Sequence, residues 1–199
     1  MNRRLAISLV TFVLWTLITV AGGRWITGGQ GELTDLVKNG VGWHFAVAAF
    51  LLLAVARWQA WQDLKLVLTV HPRSLRLAWL PCIYIVAGLA FVTAIGLPPA
   101  HTVFFILVNT FLVGLSEELM FRGVLLQAFR HMIPVWPAVW FTSLAFGAIH
   151  SLNVFTTGDL IPALIQSCAA FCSGLIFIAL RFRTGSLWPG IIVHAAWDF

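Results

Sequence analysis

The chain has 199 residues, of which 60% are hydrophobic and only 10% are charged. Soluble domains are about half apolar and about a quarter charged, so this composition excludes a soluble globular domain and indicates an integral membrane protein. The net charge of +5 does not indicate nucleic-acid binding, because the basic residues lie in short connections between apolar runs, where they set topology and contact the lipid bilayer.

The apolar runs predict an all-α fold, a polytopic integral membrane helical bundle of about seven transmembrane helices that forms a single membrane domain over residues 1–199. The first run follows Asn2-Arg3-Arg4 and resembles a signal peptide, but its nearly spanning length favours a retained helix. The predicted spans are residues 5–21, 41–56 and 77–97, a fourth that begins at residue 101, and then 138–150, 160–180 and 187–199.

The basic residues are distributed unevenly between the connections. Ten of the twelve Lys and Arg residues lie at the N-terminus, in the 57–76 loop, over residues 122–130 and in the 181–186 turn, whereas Arg24 and Lys38 lie in the alternate connection. The positive-inside rule therefore predicts a cytoplasmic N-terminus, and we expect a multi-pass protein of a bacterial or archaeal inner membrane. The ten tryptophans are typical of a belt at the membrane–water interface, and we expect only Trp197 to lie near a functional site.

Two adjacent carboxylates and an arginine interrupt the apolar run of residues 102–126. These residues are Glu117, Glu118 and Arg122. An ionised carboxylate at the centre of a membrane helix costs at least about 2.5–3.5 kcal/mol, so a helix that only had to span would not carry three such groups. The cluster therefore favours a functional site, with a structural ion pair as the alternative.

Two later segments carry further polar residues at apolar positions. Glu117 and His150 each lie 16 residues from the turn at 133–134, or about 25 Å along a helix, so a helical hairpin would bring them to similar depth. His194 and Asp198 are four residues apart and share one face of a helix. His194 lies about 15 Å from the preceding turn, which is a shallower position than that of Glu117.

Carboxylates beside imidazoles in an apolar setting are suited to general acid–base chemistry. Two histidines and a carboxylate are also a ligand set for a catalytic divalent metal that keeps a position for water. Hydrolysis fits either arrangement. The competing classes are a proton- or ion-coupled transporter and a non-catalytic membrane scaffold or immunity protein; a transporter is disfavoured because the polar residues form one cluster and no inverted repeat is apparent.

Three motifs occur in order on successive apolar segments: Glu117-Glu118-x-x-x-Arg122, Phe146-x-x-x-His150 and His194-x-x-x-Asp198. In this pattern the sequence resembles the CPBP family (also called Abi), the CAAX-processing and bacteriocin-processing intramembrane proteases. The resemblance covers roughly residues 100–199. It implies a catalytic core over residues 101–199, preceded by N-terminal helices of unassigned role over residues 1–100.

The resemblance also implies roles for the motif residues. Glu117 would activate the attacking water with help from His150, and His194 and Asp198 would support the oxyanion. Asp198 stands where the family often has Asn, and an ionised Asp cannot donate to an oxyanion, so it must be protonated or must orient His194 by accepting its N–H.

The remaining motif residues, Glu118 and Arg122, would orient the site as a buried ion pair. The implied substrate is a prenylated C-terminus, a bacteriocin or peptide precursor, or another membrane-anchored protein. The resemblance leaves open whether no cofactor is required or one divalent metal such as zinc is bound. We prefer the glutamic type; in a metalloprotease the ligands would be Glu117, His150 and His194.

Overall fold

The structure is a computed structural model that describes residues 2–29, 31–38, 40–68 and 70–199. Helices dominate these ranges, and no strand occurs within them. The α-helices are α1 (Arg3–Thr27), α2 (Asp35–Lys38), α3 (Trp43–Trp58), α4 (Trp79–Ile95), α5 (Ala100–Glu118), α6 (Leu126–Arg130), α7 (Val135–His150), α8 (Val154–Thr157), α9 (Leu160–Thr184) and α10 (Trp188–Asp198). Short 3₁₀ turns cover Gln62–Leu64, Pro72–Ala78 and Ser151–Asn153, and a π-helix covers Leu119–Leu125.

The predicted polytopic all-α bundle is confirmed, and the protein is a multi-pass integral membrane protein. Within the described ranges, the segments long and apolar enough to cross a membrane are Arg3–Thr27, Pro72–Ile95, Ala100–Arg130, Val135–Thr157 and Leu160–Thr184. The count of seven is not confirmed. The helices α3 and α10 have 16 and 11 residues, or about 24 and about 17 Å, against a hydrocarbon core of about 30 Å.

The fourth predicted span is one continuous helical rod from α5 to α6, and its centre is a π-helix. The π-helix begins directly after Glu118, and all seven of its residues are buried. Its wider turns free backbone carbonyls, and the Gln127 side chain donates a hydrogen bond through Nε2 to the Arg122 carbonyl at 3.2 Å. Because π-helical turns are rare and occur frequently at functional sites, this irregularity supports the interpretation of the charged cluster as a site.

Small residues let the helices of the C-terminal half approach closely. A Cβ on Gly147 of α7 would lie 2.8 Å from the Ser167 carbonyl of α9, and Ser167 Oγ donates to the Gly147 carbonyl at 2.6 Å. A Cβ on Gly114 of α5 would lie 3.0 Å from the Ile191 carbonyl of α10. Small residues commonly allow such contacts between membrane helices, and here they bring α5, α7, α9 and α10 together around the site.

Candidate active site

Glu117 lies near the end of α5, where its carboxylate meets two imidazoles. Its Oε2 lies 3.5 Å from His194 Nε2 and 3.9 Å from His150 Nε2, and its side chain is 14% exposed. Both distances exceed those of direct hydrogen bonds. Within the described residues, Glu117 Oε2 is a buried oxygen without a hydrogen-bond donor. The hairpin expectation of similar depth for Glu117 and His150 therefore agrees with the geometry.

His150 is the last residue of α7, and a backbone contact sets its orientation. Its Nδ1 lies 2.7 Å from the carbonyl oxygen of Phe146, one turn earlier. A carbonyl only accepts, so Nδ1 carries a proton, and Nε2 is the ring nitrogen directed at Glu117. The Phe146-x-x-x-His150 spacing thus has a structural reason, since residues four apart are in contact along a helix.

Glu118 lies beside Glu117 in sequence but has a different environment. Its Oε1 accepts from Arg122 Nη1 at 2.9 Å and pairs with His194 Nδ1 at 3.0 Å. The Glu118 and Arg122 side chains are 1% and 0% exposed. The predicted buried ion pair therefore exists, and it also fixes the imidazole of His194, which leaves His194 Nε2 directed at Glu117.

Arg122 is surrounded by aromatic rings. Its Cζ lies 4.2 Å from the ring centroid of Phe146 and 5.1 Å from that of Phe177. Its Nη2 donates to the carbonyl of Gly174 on α9 at 3.2 Å. A Cβ on Gly174 would lie 3.5 Å from this nitrogen and 3.2 Å from Phe146, so a glycine leaves room for the guanidinium here. A desolvated cation over aromatic faces is stabilised by up to about 2 kcal/mol.

Asp198 is the most exposed of the predicted site residues. Its side chain is 36% exposed, and its Oδ2 lies 3.5 Å from His194 Nε2, one turn earlier on α10. The expectation that His194 and Asp198 share a helix face therefore holds. Glu118, and not Asp198, makes the short contact with His194. The structure thus brings all six predicted site residues together: Glu117, Glu118, Arg122, His150, His194 and Asp198.

A cavity of about 290 Å³ opens beside these groups. Glu117, His150 and Asp198 lie on its wall, together with Asn153 and Gln166 from the neighbouring helices. Much of the remaining wall comes from the N-terminal half of the chain, which the motifs do not reach. Apolar side chains with a few convergent polar groups are the usual lining of a ligand-binding site.

Three residues at the site were missed by sequence reasoning. Trp15 is 2% exposed, so its assignment to an interfacial belt was wrong; its Nε1 donates to Ser116 Oγ at 2.7 Å. Phe177 stacks on the His194 ring at 4.7 Å between centroids. A Cβ on Gly190 would lie 2.9 Å from Glu118 Oε2. Only Gly190 gave a local signal, because a glycine inside a helix often marks a close approach.

Metal binding depends on how the acids and imidazoles are grouped. Within the part of the chain that the structure describes, no three His, Cys, Asp or Glu side chains are grouped so that they could hold a metal ion. The chemistry of the donors is compatible with a metal at His150 and His194, since both Nε2 atoms face Glu117.

Comparison with known proteins identifies one family. Residues 99–199, just over half of the chain, match the family model described as type II CAAX prenyl endopeptidase Rce1-like. An Escherichia coli protein named "Uncharacterized 24.3 kDa protein" is 34% identical over 87 residues, which are 42% of this chain and 36% of that protein. The chain thus spans just over a third of the length of this curated relative. No solved structure matches the chain.

Proposed function

Because the chain belongs to the type II CAAX prenyl endopeptidase Rce1-like family, we propose that it is an intramembrane endopeptidase. Its proposed reaction is the hydrolysis of a peptide bond in a membrane-anchored protein or peptide. The observation that carries the proposal is the approach of two imidazole Nε2 atoms to a single buried oxygen of Glu117. The matched residues 99–199 contain all of these groups.

Glu117 is the proposed general base. The separations of 3.5 and 3.9 Å from its Oε2 to the two Nε2 atoms are longer than direct hydrogen bonds, so this oxygen is left to take a proton from a water molecule held beside the two imidazoles. In the proposed step, Glu117 takes a proton from this water while the water oxygen attacks the carbonyl carbon of the substrate. His150 accepts a hydrogen bond at Nε2 and orients the water. The proton then passes from Glu117 to the leaving nitrogen as the carbon–nitrogen bond breaks.

His194 is the proposed stabiliser of the oxyanion that forms on the carbonyl oxygen. Its Nδ1 is engaged by Glu118, so Nε2 can donate to an oxyanion only when the ring carries both protons. The carboxylates of Glu118 and Asp198 lie 3.0 and 3.5 Å from the ring nitrogens and complement this positive charge. Asp198 supports the oxyanion through His194, while Arg122 holds Glu118 in place.

We propose the glutamic type of protease, with zinc at Glu117, His150 and His194 as the alternative. In the glutamic type, activity survives chelation, and the purified protein holds well below one zinc per chain. One zinc per chain that is lost when either histidine is changed to alanine would establish the metalloprotease instead.

Replacing Glu117 by glutamine tests the proposed reaction. The amide keeps the shape but cannot take a proton, so cleavage of a set of internally quenched peptides by the detergent-solubilised protein should fall at least about 100-fold. Glu32→Gln is the matched control, because Glu32 is exposed and lies outside the cavity. Equal helical circular dichroism of both variants would confirm folding. Retention of wild-type cleavage by Glu117→Gln would disprove the assigned role.

The N-terminus is proposed to be cytoplasmic. The support is the charge asymmetry of the sequence, because ten of the twelve basic residues lie on one set of connections. In a background with the three exposed native cysteines replaced by alanine, single cysteines introduced at the exposed positions Glu32 and Gln62 report the two sides. In bacterial spheroplasts, an impermeant maleimide should label Glu32→Cys directly and Gln62→Cys only after lysis; the reverse pattern would invert the topology.

A further inference from the structure

The cavity that contains Glu117 is bounded on one side by the N-terminal half of the chain. Helix α1 contributes Trp15, Thr19 and Val20 to this wall. Leu33, Thr34, Leu36 and Val37, together with Phe45 of α3, complete it. We name these residues the N-terminal wall. The wall lies outside residues 99–199, the part of the chain that matches the family model.

A buried hydrogen bond fixes α1 directly to the residue before Glu117. Trp15 Nε1 donates to Ser116 Oγ at 2.7 Å, and both side chains are almost fully buried. Trp15 also makes an edge-to-face contact with Phe121 of the π-helix, with 5.5 Å between the ring centroids. Such an aromatic pair contributes about 0.5–1.5 kcal/mol beyond its buried area. The position of α1 relative to the Glu117 carboxylate is therefore set by named contacts.

A second buried group fixes the 33–37 segment to the same helix. Asn109 of α5 is fully buried, and its Nδ2 donates to the carbonyls of Val37 at 3.0 Å and Gly40 at 2.6 Å. Its Oδ1 accepts from the Gly42 amide at 2.7 Å. One side chain thus satisfies three backbone groups that end the segment. The segment is held over the cavity by the helix that carries Glu117.

The lining defines what kind of side chain the cavity can accept. The N-terminal wall presents apolar groups such as Val20, Val37 and Phe45, and no Lys or Arg lies among the cavity residues in the described chain. The charged lining consists of the acids Glu117 and Asp198 with His150 beside them. An acidic substrate side chain would find no Lys or Arg there and would face the carboxylates of Glu117 and Asp198, which is unfavourable in a site of low polarity. A neutral, apolar side chain fits this environment.

Asn153 and Gln166 add hydrogen-bonding groups to the cavity that suit a peptide main chain. Asn153 Nδ2 donates to Gln166 Oε1 at 2.7 Å, and both amides line the cavity. This pairing leaves Asn153 Oδ1 to accept and Gln166 Nε2 to donate further hydrogen bonds. An extended peptide carries both complements on every residue except proline. The volume of about 290 Å³ limits the occupant to a short segment.

We propose that the N-terminal wall is the specificity-determining surface of the protein, and that it selects a neutral, apolar side chain beside the cleaved peptide bond. In this arrangement Asn153 and Gln166 hold the peptide main chain while Glu117 faces the bond. The proposal rests on the endopeptidase function proposed above. It assigns a role to the helices before residue 99, and it names the substrate class as an uncharged, apolar peptide segment.

Changing the volume at Val20 tests the selection. The probes are internally quenched peptides that differ at one position, which is Ala, Leu, Phe or Glu. In the full-length protein, Val20→Phe should lower the ratio of kcat/KM for the Phe peptide over the Ala peptide about tenfold, and Val20→Ala should raise it. Val10→Phe is the matched control on the same helix, because Val10 is 61% exposed and lies outside the cavity. The control should leave the ratio unchanged.

A binding measurement separates this proposal from the proposed reaction. In a Glu117→Gln background with the three native cysteines replaced by alanine, Thr34→Cys places a thiol on the cavity wall. The Leu and Phe peptides should slow its labelling by a maleimide, and the Glu peptide should not. This protection would support the selection of apolar side chains by the N-terminal wall even if no peptide is cleaved. Equal protection by all peptides, or protection insensitive to Val20→Phe, would overturn it.

Discussion

Replacing Arg122 by leucine is expected to destabilise the folded protein by about 3–5 kcal/mol, because it leaves the Glu118 carboxylate buried without its cation. The two side chains are 0% and 1% exposed and meet at 2.9 Å. Glu118 would keep only the contact with His194. The orphaned carbonyl of Gly174 adds about 1–3 kcal/mol at most, since it loses a bond of 3.2 Å. The unpaired charge is therefore the dominant loss.

A double-mutant cycle isolates the ion pair from the packing of Arg122. Glu118→Gln alone leaves the guanidinium unpaired among the aromatic rings and should destabilise by a similar amount. The double variant Glu118→Gln/Arg122→Leu removes both charges, so its loss should be smaller than the sum of the single losses by at least about 2 kcal/mol. Neighbours that share a buried polar network commonly show interaction energies of about 0.5–3 kcal/mol.

The assay is reversible unfolding in mixed micelles by titration with sodium dodecyl sulfate, followed by helical circular dichroism. Arg24→Leu is the matched control, since Arg24 is exposed near the end of α1 and its only hydrogen bond, among the described residues, is to the Phe155 carbonyl. The Arg24→Leu variant should lose no more than about 1 kcal/mol of unfolding free energy. Additive single losses in the cycle, with a coupling below about 0.5 kcal/mol, would refute the reasoning.

Two further predictions concern Gly190, which lies beside Glu118, and the ion pair between Arg4 and Asp63. Gly190→Ala should lower kcat at least about tenfold with little change in KM, because the new Cβ would lie 2.9 Å from Glu118 Oε2 and would displace this carboxylate. Gly88→Ala is the control and should leave kcat unchanged, because the space around Gly88 is open. Burial raises the pKa of Asp63, but the hydrogen bond and charge of Arg4 at 2.7 Å, together with hydrogen bonds from His131 and the backbone, outweigh this and lower it below 3.8. Asp63→Asn should therefore cost up to about 1 kcal/mol at neutral pH, and this difference in unfolding free energy should vanish as the pH falls through the lowered pKa.

The site residues could be predicted because each one is a polar or charged residue in an otherwise apolar segment. A carboxylate, an imidazole or a guanidinium is conspicuous in an apolar run, and helical spacing then relates Glu117 to His150 and His194 to Asp198. The equal distances of Glu117 and His150 from one turn sufficed to place them at similar depth, and the structure brings them within 3.9 Å. Their catalytic roles stay predictions.

The contributions of the N-terminal half could not be predicted, because they depend on contacts between distant parts of the chain. Trp15 and Ser116 are 101 residues apart, and neither is unusual in its own segment. Asn109 is a single amide in an apolar run, and its backbone partners lie in a loop. The number of spans also could not be predicted from the composition, because a 16-residue apolar helix such as α3 has the hydropathy of a span but not its length.

The two adjacent glutamates of α5 lie in different environments. Consecutive residues on a helix point about 100° apart, so Glu117 and Glu118 face different neighbours. Glu118 faces inward, where Arg122 neutralises it and where it fixes His194. Glu117 faces the cavity, where the nearest groups are the Nε2 atoms of His194 and His150. Exposure follows the same division, with 1% for the side chain of Glu118 and 14% for that of Glu117. Of the two carboxylates, only that of Glu117 therefore borders the cavity, and placing Glu118 there instead would require rotating the helix.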